Sequence, residues 1–428
     1  MKFLFYTLGC KVNQYETESM REQLLSAGHT PAENEDADIV IINSCTVTAE
    51  SDRKTRQAVR KYRRLYPSAI IILCGCVPAA FPEVENALPE ADIIFGNSGE
   101  GQLVSLLEEH IKTEKRIIKT EPHKKGEEYK TPAITDFSER TRAFVKIEDG
   151  CDRFCSYCII PTARGRVRSR SIESIKEELT ALAAKGFCEA VLVGINLSAY
   201  GKDNGLSLCD AVEAAASVDG IYRVRLGSLE PDHISEETLR RLSAIPKFCP
   251  QFHLSLQSGC DETLKRMNRH YDSEYYRQLI ARIRTVFPDA SITTDIMVGF
   301  AGETEEEFLE SLNFAKEIGF AKAHIFAYSR RKGTKADLLP CQIENAVKAK
   351  RSQAMIATCL ECEEKFLDNQ IGKVFPVLLE THENGFCEGY TPNYTRVRVR
   401  GEKCLCGKIF SVLLERREGD CCIGKITD

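Results

Sequence analysis

The segment KIEDGCDRFCSYC, residues 146–158, ends a predicted strand and places three cysteines within eight residues. Cys151, Cys155 and Cys158 have C-x3-C-x2-C spacing. Thiolates at this spacing can wrap one face of an iron–sulfur cluster and leave one iron open to another ligand. The alternative is half of a zinc site, but zinc needs a fourth ligand, and no second close pair lies nearby. The spacing therefore predicts a four-iron cluster.

Strand and helix signals alternate on both sides of this segment, which indicates an α/β fold. From about residue 142 to 339, six predicted strands alternate with helical segments, which suits a partial, open (β/α)6 barrel. Residues 1–110 alternate Ile/Val-rich strands with helices, a pattern typical of a doubly wound parallel sheet. After a long predicted helix over 341–368, short strand signals predict a small C-terminal β-barrel.

The 428 residues are too many for one core, so the sequence predicts several domains. We place the first domain at 1–111, a charged linker or crossover strand at 112–140, the barrel domain at 141–365 and the C-terminal domain at 366–428. No stretch approaches the roughly 18 apolar residues of a membrane span, and the first residues do not form a signal peptide. We expect a cytoplasmic protein without a membrane partner, whose 19 cysteines are metal-binding or catalytic rather than disulfide-bonded.

A second cysteine triad follows from topology. Cys10, Cys45 and Cys76 each follow a predicted parallel strand, and ligands of open parallel sheets bind beyond the carboxyl ends of the strands. Helix N-termini there would stabilise thiolates. Three separate buried cysteines are the alternative. Cys74 competes with Cys76 for the third position, but Cys76 follows its strand in a Gly-Cys pair, as Cys10 does, whereas Cys74 lies within the strand.

The triad of residues 151–158 on the first strand of a six-unit barrel resembles the radical SAM superfamily. In that superfamily the open iron binds S-adenosylmethionine, and electron transfer into the sulfonium yields a 5′-deoxyadenosyl radical. Nearly the whole chain resembles the methylthiotransferases within it. The motifs that carry this resemblance are TLGCKVNQYETE, INSCTVTAESDRKTRQ and CGCV in the first domain, GINLSAYG, RLGSLEP, HLSLQSGCDETLKRMNR and TDIMVGFAGET in the barrel, and GYTPNYTRVRV in a region similar to the TRAM domain.

TLGCKVNQYETE and NSCTVTAESDRKTR are most similar to the branch that acts on threonylcarbamoyladenosine in tRNA. The isopentenyladenosine branch typically reads GCQMN at the first cysteine and the ribosomal-protein branch GCPKN. The resemblance implies insertion of a methylthio group at carbon 2 of N6-threonylcarbamoyladenosine beside the anticodon. Methylthiolation of isopentenyladenosine tRNA or of a ribosomal protein is the nearest alternative, and a non-enzymatic iron–sulfur RNA-binding sensor is a remote one.

The resemblance also implies the cofactors and partners. Two 4Fe–4S clusters would be held by the two triads, and two equivalents of S-adenosylmethionine would be used per turnover. One equivalent would methylate sulfur associated with the N-terminal cluster, and the other would be cleaved at the second cluster to remove hydrogen from carbon 2. The partners are the tRNA substrate and an electron donor such as a flavodoxin or ferredoxin, and the sulfur source stays undefined.

Six further residues are predicted to bind the cofactor. Tyr157 matches the aromatic residue that flanks the adenine in the superfamily. The other five are polar residues at predicted strand ends, where barrel enzymes place their active sites. These are Asn196, Tyr200, Glu230, Gln257 and Ser258. The alternative for each of the five is a satisfied strand-end cap.

Two sets of arginines are candidates for RNA contacts. Arg396, Arg398 and Arg400 alternate along a predicted strand and could meet phosphates, although an edge strand charged against aggregation is the alternative. A second set shares one face of the helix after Cys45, where a solvated face is equally compatible. This set is Arg53, Arg56, Arg60 and Arg64.

A third run of arginines follows the 151–158 loop, and we expect it to meet either the substrate or S-adenosylmethionine. Its members are Arg164, Arg166, Arg168 and Arg170. Four cysteines near the C-terminus match no standard metal-site spacing and receive no function. They are Cys404, Cys406, Cys421 and Cys422.

Overall fold

The computed structural model describes residues 1–33, 36–124, 126–135 and 141–427. Its N-terminal part is one parallel sheet of six strands in the order β2-β1-β3-β4-β5-β6. The strands are β1 (Lys2–Thr7), β2 (Thr30–Pro31), β3 (Ile39–Ser44), β4 (Ile70–Gly75), β5 (Ile93–Phe95) and β6 (Ile117–Lys119). The helices between them are α1 (Lys11–Ser26), α2 (Ala49–Leu65), α3 (Cys76–Ala80), α4 (Val84–Ala87) and α5 (Leu103–Thr113).

Helices cover both faces of this sheet, as the continuous Ile/Val runs predict. Ile42 and Leu73 pack in a hydrophobic cluster on one face, and Ile41 and Ile72 pack in a separate cluster on the other. Because every residue of β3 is buried, the strand has no solvated side that would have required polar alternation. The doubly wound prediction is confirmed.

The predicted linker 112–140 contributes regular structure at its start. Strand β6 pairs in parallel with β5 and completes the sheet. Further along, Pro132 accepts hydrogen bonds from Tyr15 and Ser19 of α1, at 3.3 and 3.1 Å. Residue 125 and residues 136–140 of the segment lie outside the described residues, and the domain boundaries stay a prediction.

The central part is a partial barrel of parallel strands. Its strand orders are β7-β10-β11 and β12-β13-β14-β15, with a short antiparallel pair, β8 and β9, beside them. The strands are β7 (Ala143–Lys146), β8 (Glu148–Asp149), β9 (Arg168–Ser169), β10 (Glu189–Val193), β11 (Arg223–Leu226), β12 (Ser228–Leu229), β13 (Gln251–Leu254), β14 (Ser291–Val298) and β15 (Lys322–Ala327). The helices are α6 (Ile160–Arg164), α7 (Ile172–Ala184), α8 (Leu208–Ala216), α9 (Glu236–Ser243), α10 (Asp261–Arg266), α11 (Ser273–Val286), α12 (Glu305–Ile318) and α13 (Asn345–Asp368).

One of the six predicted barrel strands covers residues 222–229, YRVRLGSL, and the structure divides it at Gly227. Its first half, β11, pairs with β10, and its second half, β12, pairs with β13. The Gly227 amide donates to the Leu192 carbonyl at 2.9 Å, and a Cβ at Gly227 would lie 3.3 Å from the same oxygen. One predicted strand therefore joins the two halves of the barrel, and the partial barrel prediction is confirmed.

The C-terminal part is a closed five-stranded barrel in the order β16-β17-β18-β20-β19, as predicted. Its strands are β16 (Val374–Glu383), β17 (Phe386–Tyr390), β18 (Arg396–Arg400), β19 (Ile409–Glu418) and β20 (Cys421–Ile426). The loop after β17 docks on the amino ends of the central strands, where Arg225 donates to the Pro392 carbonyl at 2.8 Å and Arg223 to the Tyr390 carbonyl at 3.1 Å. Within the described ranges, no helix is long and apolar enough to cross a membrane.

Candidate active site with two cysteine triads

The first triad lies at the carboxyl ends of three adjacent strands. Cys10 caps α1 just after β1, Cys45 directly follows β3, and Cys76 begins α3 directly after β4. Strands β1, β3 and β4 are parallel neighbours, so their ends share one sheet edge. The topology thus brings the three cysteines together as the strand order predicts.

Tight backbone packing accompanies this first triad. Gly75 has φ +92°, and a Cβ there would lie 2.5 Å from Asn43 Oδ1. A Cβ at Gly9 would lie 2.9 Å from the Cβ of Cys45. The Gly-Cys pairs therefore reflect a real steric need, since the backbone before each of these cysteines approaches its neighbours too closely for a side chain.

Burial sets the protonation of the first triad. It raises the pKa of the Cys45 thiol, and it raises that of Cys76 to about 12, against the opposing effect of the Arg164 guanidinium. Cys10 is exposed. A bound iron–sulfur cluster would hold such thiols as thiolates, since metal coordination overrides the cost of burying the charge.

Cys74 does not belong to this group. It lies inside β4, is fully buried, and packs among Phe3, Met20 and Leu24 in a hydrophobic cluster. Cys74 lies inside β4 and in the core layer, whereas Cys76 lies beyond the end of the strand and begins α3. The geometry supports the choice of Cys76.

The second triad lies on a loop that is fastened along its length. Ser156 donates from its amide to the Met267 carbonyl at 2.9 Å and from its hydroxyl to the Arg266 carbonyl at 2.7 Å. Asn268 donates to the Phe154 carbonyl at 3.1 Å. Gly150 has φ +88°, and a Cβ there would clash with the Arg166 carbonyl at 1.9 Å. These contacts fix the loop between Cys151 and Cys158 on the segment after α10.

A buried arginine adjoins the second triad. Arg269 donates to the sulfur of Cys155 at 3.3 Å and forms an ion pair with Glu230. Burial and the neighbouring Cys155 raise the pKa of the Cys158 thiol to about 12, and Arg269 opposes this shift. The arginine thus supplies positive charge next to thiols that a cluster would hold as thiolates.

Two of the predicted cofactor residues present free acceptors. The side-chain oxygens Asn196 Oδ1 and Gln257 Oε1 are buried and have no hydrogen-bond partner within the described residues. Such groups are costly unless a ligand or water satisfies them. Gln257 also has φ +66°, a strained conformation of the kind found at functional sites. Both observations fit a polar ligand such as S-adenosylmethionine.

The other four predicted cofactor residues differ in the contacts that their side chains already make. Tyr157 is half-buried with its ring edge-on to Phe300 at 6.3 Å. Glu230 forms its ion pair with Arg269. The Tyr200 hydroxyl donates to the Arg170 carbonyl at 2.7 Å, and Ser258 accepts from the Cys260 amide at 3.2 Å. Tyr200 and Ser258 therefore have the hydrogen bonds expected of structural caps.

The two triads are linked through packed helices. Cys76 and Ala80 of α3 pack against Ile159 and Ala163 beside and within α6, the helix that follows Cys158. Asn97 donates from Nδ2 to the Cys76 sulfur at 3.8 Å and to the Ala163 carbonyl at 3.2 Å. The positions of the two triads are thus coupled by direct contacts between the first domain and the barrel.

A buried ion network reinforces this junction. Glu16 of α1 contacts Lys146 of β7 at 2.6 Å and Arg164 of α6 at 2.6 Å, and Asp149 contacts the same two cations at 2.9 and 3.2 Å. Burial alone would raise the pKa of Glu16, but Arg164 and Lys146 hold it below its usual value. Paired charges of this kind are costly to break singly.

The prediction that residues 164–170 meet the substrate or S-adenosylmethionine is wrong for three of the four arginines. Arg164 and Arg168 are buried against Asp149, and Arg170 forms a buried ion pair with Glu178. Arg166 remains exposed, but pairs with Asp152 at 3.0 Å. The acidic partners come from α1, β8 and α7, so the local charge run gave no sign of them.

The candidate RNA arginines occupy two surfaces. On α2, Arg53, Arg56, Arg60 and Arg64 are exposed on one face. On β18, Arg396 pairs with Glu388 and Asp420, at 2.7 and 2.9 Å. Arg398 and Arg400 lie over the Phe386 ring, at 5.0 and 5.8 Å from its centroid. Their role in RNA binding stays a prediction.

A cavity of about 850 Å³ opens among the three parts of the molecule. Cys10 lines it, together with Gly194 of the central barrel, Asp295 of β14, and Tyr390 and Tyr394 of the C-terminal part. Two of the predicted cofactor residues are connected to this wall without lining it, since Asn196 is two residues from Gly194 and the Gln257 amide donates to the Asp295 carbonyl at 2.8 Å. This volume lies in the range of small-molecule sites.

The described residues do not meet the requirements of a single metal ion. Among the described residues, no three His, Cys, Asp or Glu side chains surround one point closely enough to hold a metal ion. A cluster is ligated at separate irons, so its thiolates need not converge on one point.

Sequence reasoning missed Arg269, Glu16 and Lys146. Arg269 lies in the motif LKRMNR, but a single arginine there carries no sign that it turns towards Cys155. Glu16 lies in the amphipathic helix α1 and reads as a solvated residue. Lys146 ends a strand that is otherwise apolar, AFVK, and this buried lysine position was the one available signal.

Comparisons with known proteins identify the families that this chain resembles. The model of the radical SAM superfamily matches residues 145–315, and that of the uncharacterized protein family UPF0004 matches residues 2–96. Among solved structures, the radical S-adenosylmethionine methyltransferase TsrM from Kitasatospora setae, with cobalamin and a [4Fe-4S] cluster bound, has a TM-score of 0.57 and 14% identity over 76% of this chain and 72% of its own. That likeness concerns the fold. Fold and site together define a radical SAM enzyme.

Relatives specify the family further. Threonylcarbamoyladenosine tRNA methylthiotransferase MtaB from Bacillus subtilis is 35% identical over 94% of this chain and 91% of its own, and the protein of that name from Thermotoga maritima is 36% identical over 93% and 91%. A tRNA-2-methylthio-N(6)-dimethylallyladenosine synthase from Pelotomaculum thermopropionicum is 36% identical over 95% and 93%. The chain belongs to the radical SAM methylthiotransferase family, whose cofactors are two 4Fe–4S clusters and S-adenosylmethionine.

Proposed function

We propose that the chain is a tRNA methylthiotransferase that inserts a methylthio group at carbon 2 of N6-threonylcarbamoyladenosine beside the anticodon. The cavity of about 850 Å³ carries this proposal, because Cys10 and inward-facing residues of the central barrel line the same space. A base placed there would face the cluster of the first triad and the barrel site of S-adenosylmethionine together. The motif GCKVNQYETE around Cys10 supports the threonylcarbamoyl branch.

Different residues would bind each of the cofactors. Cys10, Cys45 and Cys76 would hold the N-terminal cluster, and the triad of residues 151–158 would hold the second one. When bound, the second cluster and S-adenosylmethionine supply the radical chemistry at carbon 2, and the N-terminal cluster supplies the methylthio group. Asn196 Oδ1 and Gln257 Oε1 would accept hydrogen bonds from the amino or hydroxyl groups of S-adenosylmethionine.

The protein's own residues fix the relative positions of the two cofactor sites. The contacts of α3 with α6 fix the distance between the triads, and the Glu16 network prevents the first domain from shifting against the barrel. Arg269 keeps positive charge beside Cys155. Such prior positioning favours chemistry that must join two reacting groups in one site.

RNA would be bound by the two arginine surfaces. The four exposed arginines of α2 and the three of β18 would contact phosphates of the anticodon arm. Arg398 and Arg400 are not engaged by an acidic side chain within the described residues, which leaves their charge available to phosphate. A flavodoxin or ferredoxin would supply electrons, and the enzyme would act in the cytoplasm. Its domains would be the first domain at 1–111, the barrel domain at 141–365 and the C-terminal domain at 366–428.

Methylthiolation of isopentenyladenosine, which is also called dimethylallyladenosine, is the second candidate. The dimethylallyladenosine synthase reported above is as similar to this chain as the relatives of the threonylcarbamoyl branch. The test uses anaerobically reconstituted protein, a chemical reductant and S-adenosylmethionine with two anticodon stem-loops of one sequence, which carry either modification. Mass spectrometry of the digested nucleosides should show the methylthio product from threonylcarbamoyladenosine. Product from the isopentenyl stem-loop alone would reject the proposal, and RNA binding without S-adenosylmethionine cleavage would indicate a sensor.

A further inference from the structure

We propose that Lys11 binds the carboxylate of the threonylcarbamoyl group inside the cavity and thereby selects this substrate. The inference rests on the proposed function and deepens it, since it assigns the residue that reads the modification already present on the base.

Among the lysines and arginines of the cavity wall that the structure describes, Lys11 is the one without a carboxylate partner. Lys322 pairs with Glu363 at 3.2 Å, and His253 faces Asp295 at 3.2 Å. Arg396 is held by two carboxylates, Glu388 and Asp420, at 2.7 and 2.9 Å. Lys11 lines the same cavity and has no carboxylate within 4.0 Å among the described residues.

Cations beside the cavity are also engaged. Arg142 pairs with Glu380 at 2.8 Å, and Arg225 pairs with Glu189 at 2.8 Å while donating to the loop after β17. The Lys11 ammonium lies 5.9 Å from the centroid of the Phe144 ring, a contact that positions the side chain without satisfying its charge. An anionic occupant of this cavity would find its free positive charge at Lys11.

The position of Lys11 suits a substrate contact. It is the first residue of α1, a sixteen-residue helix whose N-terminal end favours negative charge. It directly follows Cys10, so a carboxylate held there lies next to the first triad. A second wall group lacks a partner as well, because the buried Ser291 hydroxyl has no hydrogen bond within the described residues. Both groups indicate a polar occupant.

The substrate chemistry matches this charge. The threonylcarbamoyl substituent ends in a carboxylate, which is ionised at neutral pH, whereas an isopentenyl substituent is apolar. A charge-assisted hydrogen bond from an ammonium group discriminates strongly between a carboxylate and a neutral group. Lys11 would therefore favour the first substrate over the second.

The test compares two anticodon stem-loops of one sequence. One carries the threonylcarbamoyl group with its free carboxylate, and the other carries the same group with that carboxylate converted to a primary amide. The reconstituted holoenzyme and its Lys11→Met and Lys11→Arg variants are measured for the dissociation constant of each stem-loop, and separately for methylthiolation. We expect wild type and Lys11→Arg to bind the acid about tenfold to a hundredfold more tightly than the amide. Lys11→Met should bind both with the affinity that wild type shows for the amide.

Iron content and the spectrum of the bound clusters are the controls, and they should be unchanged in both variants. Equal binding of acid and amide by wild type would overturn the inference. So would an equal loss for both stem-loops in Lys11→Met, because Lys11 would then serve the cluster or the fold. Charge-dependent binding without methylthiolation of either stem-loop would instead reject the proposed function while leaving the carboxylate contact in place.

Discussion

The two cysteine triads, each proposed to hold a four-iron cluster, are built in opposite ways. Cys151, Cys155 and Cys158 lie on one loop whose backbone is bonded to the segment after α10. Cys10, Cys45 and Cys76 come from three strands, and only the pairing of β1, β3 and β4 unites them. The second triad thus lies on one short loop that is held by bonds to a single distant segment, whereas the first is assembled from three strands and depends on the fold of its whole domain.

Because the two triads are built differently, we expect different structural damage to release each cluster. Damage to the sheet or to its contact with the barrel should release the first cluster before the second. Damage at the 151–158 loop should affect the second cluster alone. The following predictions test this contrast, in order of expected effect.

The largest effect is expected from Glu16→Ala. The change leaves the buried cations Lys146 and Arg164 with Asp149 but without Glu16 as a carboxylate partner, and this loss should lower the free energy of unfolding by about 3–5 kcal/mol. Denaturant titration followed by circular dichroism measures this loss, and iron released along the titration should come first from the N-terminal triad. Glu83→Ala removes an exposed pair with Lys332 across the same domains and should leave the midpoint unchanged. Equal effects of both changes would refute the role of the network.

Arg269→Met should impair the second triad selectively. Removal of the guanidinium beside Cys155 and Glu230 costs a charged hydrogen bond of about 1.5–3 kcal/mol. We expect formation of 5′-deoxyadenosine to fall roughly tenfold to a hundredfold, while the iron held by the N-terminal triad stays bound. Arg277→Met, which removes an exposed arginine on α11 that pairs with Glu274 and Glu317, is the matched control. An unchanged rate in Arg269→Met would exclude this contact from the chemistry.

Removal of the RNA arginines should weaken binding by a smaller amount. Arg398→Ala with Arg400→Ala, and separately Arg56→Ala with Arg60→Ala, should reduce tRNA affinity several-fold. For each phosphate that a variant no longer neutralises, the slope of log affinity against log salt should fall by about 0.7–0.9. Filter binding over a salt series measures both quantities, and Arg240→Ala on α9 is the control. Unchanged slopes would identify these arginines as solvated surface.

The smallest effect is expected from Cys74→Ala. This thiol is fully buried in the core of the first domain, so its removal should cost about 1 kcal/mol of stability. The iron content should equal that of wild type, in contrast to Cys76→Ala. A loss of iron in Cys74→Ala would exchange the roles of the two cysteines.

The sequence was a good guide where function depends on strand ends. The pairs Gly9–Cys10 and Gly75–Cys76 follow apolar runs, and parallel order alone predicts that such ends meet. Polar residues at barrel strand ends were found in the same way, and Asn196 and Gln257 indeed carry free acceptors.

The sequence was a poor guide where a charge is neutralised by a distant partner. Arg164 and Glu16 are 148 positions apart, and the alternating arginines of residues 164–170 were predicted to contact the substrate or S-adenosylmethionine rather than distant carboxylates. The break at Gly227 was missed for a related reason, because the close approach of the Leu192 carbonyl is a tertiary contact. Pairings that form only in the folded chain leave no local periodicity.

The most direct test of the central claim is an iron count on anaerobically reconstituted wild type and on the triple variant Cys10→Ala/Cys45→Ala/Cys76→Ala. Wild type should hold about eight irons and the variant about four, as expected for two four-iron clusters and one. The variant should still form 5′-deoxyadenosine but yield no methylthio product. Equal iron in both proteins would contradict the account, because the N-terminal cysteines would then hold no cluster.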